Sequence, residues 1–124
     1  MIDPSELAAR YVGIWNEPDA MRRRRRIAEL WAEDGRHFTR TLEARGHEAL
    51  ETRVATAYEK WVKEGGYVFA PLGSASGHHD VVRLGWQMRP AAGGAAVSVG
   101  AAFLLVGDDG RIRVDYQFTD PSPA

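Results

Sequence analysis

The chain has 124 residues, 44% of them apolar and 27% charged, with a formal net charge of −1 and no cysteine. That length supports one core, so a single domain over residues 1–124 is expected. The near-neutral balance argues against bulk binding to nucleic acid or an anionic membrane, and the lack of cysteine removes disulfides, thiol nucleophiles and thiolate metal sites.

Asp3-Pro4-Ser5-Glu6 starts a first helix, with a capping acid, proline at the first helical position and an acid in the first turn. No charged-then-apolar leader precedes it and no window is apolar enough to span a membrane, so a cytoplasmic location is expected. Leu7, Tyr11, Ile14 and Trp15 form the apolar stripe, and Asn16-Glu17-Pro18 ends the helix. A second helix opens after Asp19, buries Ile27, Leu30 and Trp31, and stops at Glu33-Asp34-Gly35. Its arginine run, 22–26, points all around the axis and cannot form one binding face, so it reads as a solvated or salt-bridged surface. Within that run Arg24 falls on the side aligned with Ile27 and Trp31. His37-Phe38-Thr39 then reads as a short strand, with His37 and Thr39 on one face.

Gly46 opens a longer helix over residues 47–63, with Leu50, Val54, Tyr58 and Trp61 as its stripe and Gly65-Gly66 as its stop. Residues 67–72 form a strand, and 73–77 a turn or bulge. Residues 78–89 alternate, with Val82, Leu84, Trp86 and Met88 on one face. The run 97–106 reads as a central strand covered on both sides. Asp109-Gly110 turns it into a last strand, with Arg113, Asp115, Gln117 and Thr119 on one face and Val114, Tyr116 and Phe118 on the other. Helices followed by antiparallel strands give an α+β fold with helices on one face of a curved sheet.

His78-His79-Asp80 does not make a metal site, because adjacent strand histidines point to opposite faces and no other ligand spacing accompanies them. No glycine pair has the Lys-Ser/Thr that a phosphate loop requires, and no serine or cysteine motif supports a nucleophile. Neither a metal nor a cofactor is expected.

Ala9-Arg10-Tyr11, LWAEDG at 30–35, Gly46 opening a helix, the V-x-L-x-W strand at 82–86 and DDGRI at 108–112 occur in an order that resembles the SnoaL-like proteins of the nuclear transport factor 2-like superfamily. The resemblance spans about residues 6–120. It implies a cone-shaped α+β barrel, three helices on a strongly curved, mainly antiparallel sheet enclosing a pocket, and assembly as a homodimer through the sheet. The superfamily holds isomerases, polyketide cyclases, epoxide hydrolases, dehydratases and non-catalytic binding modules, so the activity has to be argued from the site.

Similarity to ketosteroid isomerases places Tyr11 as an oxyanion donor, but puts Thr39 at the base position and Ala102 at the second acid position. Similarity to the epoxide hydrolases puts Gln117 and Ala102 where aspartates act. The resemblance turns Asp115, Gln117 and Thr119 inward, beside His37 and Thr39. Asp115 is then the candidate acid or base, His37 its partner, and Tyr11 and Gln117 donors to a substrate oxygen. Trp15, Trp31, Tyr58, Trp61 and Trp86 would wall the pocket, with Thr39, Ala102, Gln117 and Thr119 also lining it. The expected function is cofactor-free cyclisation, isomerisation, dehydration or hydrolysis of a small hydrophobic, oxygen-bearing ring compound. The alternative is a binding or dimerisation module in which Asp115 forms a structural pair with Arg113 or another arginine.

Overall fold

A computed structural model describes residues 3–121. Helices α1 (Pro4–Ile14) and α2 (Ala20–Leu30) lead into strands β1 (Trp31–Phe38) and β2 (Glu43–Arg45). Helix α3 (Gly46–Ala57) continues as a π-helical segment, Tyr58–Glu64. Strands β3 (Tyr67–His78), β4 (Val81–Pro90), β5 (Ser98–Val106) and β6 (Ile112–Thr119) complete the chain. The sheet order is β2-β1-β6-β5-β4-β3, antiparallel throughout except for the parallel pair β1–β6.

The helices begin where their caps dictate. Asp3 accepts a hydrogen bond from the Ser5 amide at 3.1 Å, and Asp19 from the Met21 amide at 2.9 Å. Their apolar stripes meet the inner face of the curled sheet, so that Leu7, Ile27, Leu50 and Val54 pack in one core with Leu84 and Leu104. Asn16, just beyond α1, fastens the helix layer to edge strand β3. Its amide donates to the Phe69 carbonyl at 2.7 Å and its carbonyl accepts from the Phe69 amide at 2.8 Å.

Several sequence expectations are corrected. Helix α2 stops at Leu30, not at 33–35, because Trp31 already has extended backbone, φ −100° and ψ 145°. Residues 31–35 belong to β1, which bulges against β6 between Trp31 and Arg36. Gly35 permits that fold, since a Cβ there would lie 2.9 Å from the Trp31 ring. The apolar spacing of Ile27, Leu30 and Trp31 runs smoothly across the boundary and so conceals it. Strand β2 went unanticipated because three residues carry no periodicity.

Residues 73–77 do not end a strand. They form an irregularity between Leu72 and Ser76 inside β3, and the reversal falls at His79, whose φ is 53°. Strand β5 is central but covered on its inner face only: Phe103 is 37% exposed, and its neighbours Tyr116 and Phe118 on β6 are 43% and 55% exposed. A register shift at the start of β6 turns Arg113 out of the inward row, where it pairs with Asp80 at 3.1 Å. In the arginine run the buried residue is Arg23, not Arg24. Arg23 donates to the Glu17 carbonyl at 2.6 Å and lies over the Tyr58 ring. Arg24 sits at the surface against Glu51, so the run is spent largely within its own helix layer. Among the described residues no helix is long and apolar enough to cross a membrane, and no group of three or more metal-binding side chains occurs.

Candidate functional site

The parallel pairing of β1 with β6 sets His37 directly opposite Asp115. Both point into the core, and both are fully buried. His37 Nδ1 lies 2.6 Å from Asp115 Oδ1. On the other edge of the ring, Arg53 from α3 donates through Nε–H to His37 Nε2 at 3.2 Å. A guanidinium only donates, so Nε2 must accept, and the ring proton sits on Nδ1 and is given to Asp115.

Arg53 also donates through Nη2 to Gln117 Oε1 at 3.2 Å, and Gln117 Nε2 donates to the Tyr11 hydroxyl at 3.5 Å. Its guanidinium lies 5.1 Å from the Trp15 ring centroid, an apolar face suited to a planar cation. The result is one polar chain: Asp115, His37, Arg53, Gln117, Tyr11.

Burial pushes the Asp115 carboxyl above its ordinary range, opposed by the His37 hydrogen bond and by the positive charge of Arg53. Burial likewise raises the Tyr11 phenol, which stays protonated and able to donate. Desolvation lowers the Arg53 guanidinium from its usual value, opposed by Tyr11 and Asp115; it remains a cation.

The outer end of this chain faces a cavity of about 410 Å³. Tyr11, Arg53, Ser98, Gln117 and Thr119 give it polar groups, while Trp15, Trp61, Phe69, Trp86 and Met88 supply apolar wall. Trp61 reaches that wall from the π-helical segment, a geometry that often marks functional positions.

The candidate residues therefore divide. Tyr11, Trp15, Trp61, Trp86, Gln117 and Thr119 line the cavity. Asp115 and His37 do not; they lie behind Arg53 and Gln117. Ala102 is sealed between Leu84 and Gln117 in the sheet, and Trp31 is packed entirely in the core. Tyr58 lies under the Arg23 guanidinium and does not line the cavity. Thr39 lies just past β1, where its hydroxyl accepts from the Thr41 and Leu42 amides and shapes the turn into β2. It borders a second, neighbouring cleft.

Arg53 was missed by sequence reading, although a signal existed. It sits three residues after Leu50 and four before Ala57, both buried, so it belongs to the inward side of α3. An arginine there, in a chain with one inward carboxylate, is a pairing to be sought.

No protein-family model matches the sequence, and neither does any curated protein. Solved structures do match. A candidate isomerase of the SnoaL-like family from Agrobacterium tumefaciens superposes with a TM-score of 0.83 at 28% identity, covering 94% of this chain and 96% of that one. A candidate polyketide cyclase from Sinorhizobium meliloti gives 0.65 at 17% identity, over 90% and 93% of the two chains. An NTF2-like protein with a cystatin-like fold from Novosphingobium aromaticivorans gives 0.70 at 20% identity, over 97% and 81%. The chain thus carries the curled α+β fold of the SnoaL-like and nuclear transport factor 2-like proteins, its structural neighbours.

Proposed function

We propose that the chain is a cofactor-free enzyme that moves a proton on a hydrophobic, oxygen-bearing ring compound. One observation carries this reading: Arg53 touches both the cavity and the lone-pair nitrogen of a histidine whose other nitrogen is fixed by Asp115. A ring ketone in the aromatic cavity would place its oxygen toward Arg53, Tyr11 and Gln117. As the guanidinium turns to that oxygen, His37 Nε2 is released to take a proton from the adjacent carbon. The C–H bond breaks, its electron pair passes to the oxygen as an enolate, and Asp115 balances the new imidazolium. Where the ring ketone carries a β,γ double bond the enolate is a dienolate, and returning the proton to its γ-carbon completes an isomerisation; a saturated ketone only exchanges its α-proton.

A second reading, a non-catalytic binding module, is favoured by the complete burial of His37 and Asp115. Deuterium uptake by 1-tetralone in D2O separates the two. Exchange above the buffer rate that is lost in His37→Gln, with tetralone binding kept, supports the enzyme. Binding without exchange supports the module. The proposal includes a homodimer through the outer sheet face, supported by the exposed aromatic group of Phe103, Tyr116 and Phe118. Sedimentation of wild type against Phe118→Lys tests it, with a monomeric variant expected.

A further inference from the structure

Arg53, Gln117 and Thr119 line two chambers: the aromatic cavity and a cleft of about 650 Å³ beside the turn from β1 to β2. Neither chamber is lined by a carboxylate, but the cleft adds a second arginine: Thr39, Arg40 and Thr41 border it, with Phe38, Tyr116 and Phe118 on the side that adjoins the proposed dimer face. Arg40 makes no ion pair among the described residues, and Glu43 on the adjoining strand is held by Arg36 at 3.0 Å.

Arg53 at the junction is also short of negative charge. Its two hydrogen-bonding partners, His37 Nε2 and Gln117 Oε1, are both neutral acceptors. They occupy two of its five N–H bonds, leaving three without a protein acceptor among the described residues. Asp115 lies on the far side of the imidazole and never touches the guanidinium. Two arginines thus flank an opening that lacks acid, and one of them is partly withdrawn from water, where charge acts most strongly.

We infer that the cleft is an anion subsite, and that the ligand is an amphipathic acid. Its ring body occupies the aromatic cavity, and a carboxylate substituent passes Arg53 to rest on Arg40 and the threonine hydroxyls. This inference rests on the cavity being a small-molecule site, as in the function proposed above.

Calorimetric titration with 2-naphthaleneacetate and the neutral, equally shaped 2-naphthaleneacetamide tests it. Wild type should bind the acid about tenfold more tightly than the amide, as a charge-assisted contact at a half-shielded site allows. Arg40→Gln should remove most of that preference while leaving amide affinity unchanged, and Arg40→Lys should restore much of it. Equal affinity for acid and amide in wild type, or a preference that survives Arg40→Gln, overturns the anion subsite and leaves the cavity reading standing. Failure of both compounds to bind overturns the cavity reading and the subsite with it.

Discussion

The Arg53 guanidinium reaches across from α3 to the far edge of the His37 ring, and its 3.2 Å contact fixes where the imidazole keeps its proton. Asp115 does the complementary work at 2.6 Å on the near edge. Between a donor that cannot accept and a carboxylate that accepts, His37 has one neutral tautomer that satisfies both neighbours. The histidine is thereby prepared as a base at Nε2 with Arg53 standing on that position.

That tautomer is directly measurable. In a proton–nitrogen correlation spectrum near neutral pH, His37 should show Nδ1 as the protonated nitrogen and Nε2 as the bare one. In Arg53→Gln, Asp115 still accepts from Nδ1, so the same tautomer should persist while the Nε2 resonance moves with the loss of its charged donor. A wild-type spectrum with the proton on Nε2 would contradict the hydrogen-bond chain outright.

Stability against pH tests the buried carboxyl. His37 on β1, Tyr11 on α1 and Arg53 on α3 all act on Asp115, but desolvation dominates and raises its pKa above the ordinary 3.8. A carboxyl that holds its proton more tightly when folded contributes most below the unfolded pKa. That contribution is lost as pH rises through the folded value. Asp115→Asn abolishes this titration. The stability of the variant minus that of wild type should therefore climb as pH rises above about 3.8 and then level off. Urea midpoints between pH 3.5 and about 8 measure the difference. A difference that falls with rising pH would show that His37 and Arg53 outweigh burial.

The parts of this architecture that were legible in sequence are those with period or punctuation. Asp3-Pro4 and Asp19 announced their helices because capping is local chemistry. The inward row of Asp115, Gln117 and Thr119 followed from strand alternation and the family resemblance. Arg113 escaped that row because a single register shift near the start of β6 inverts the face. The division between Tyr11 and Gln117 at the cavity and Asp115 and His37 behind it was not legible, because depth below a surface leaves no pattern in a chain. Arg53 shows the same limit from another side. Its helical position was readable, but its contacts lie 16 and 64 residues away in sequence.

Gly100 should be among the least replaceable residues. A Cβ there would collide with the Phe118 carbonyl and lie 2.6 Å from the Trp86 ring, both parts of packed strands. Gly100→Ala must either push β5 from β6 or drive Trp86 toward the cavity it lines. The expected cost is about 1–3 kcal/mol, typical of overpacking a filled core, and read from chemical denaturation. Gly66→Ala is a useful contrast: its strain comes from φ +73° with nothing within 4 Å, so it should destabilise the protein without disturbing tryptophan fluorescence.

Tyr11→Phe separates chemistry from packing. The ring is 1% exposed and rests against Trp15 and Trp31 at centroid distances of 6.2 and 5.7 Å, contacts that phenylalanine keeps. The hydroxyl accepts only a long contact, 3.5 Å, from Gln117 and stays protonated because burial raises its pKa. Its loss should therefore cost no more than about 1 kcal/mol of stability. If the hydroxyl donates to a developing enolate, the same change should slow turnover by about 10²–10³-fold, the usual effect of removing one oxyanion donor. Tetralone exchange and urea unfolding on the same preparation read both quantities. A large loss of exchange with a nearly unmoved midpoint assigns Tyr11 to the oxyanion. Unchanged exchange would return it to the core and leave Arg53 and Gln117 to hold the substrate oxygen.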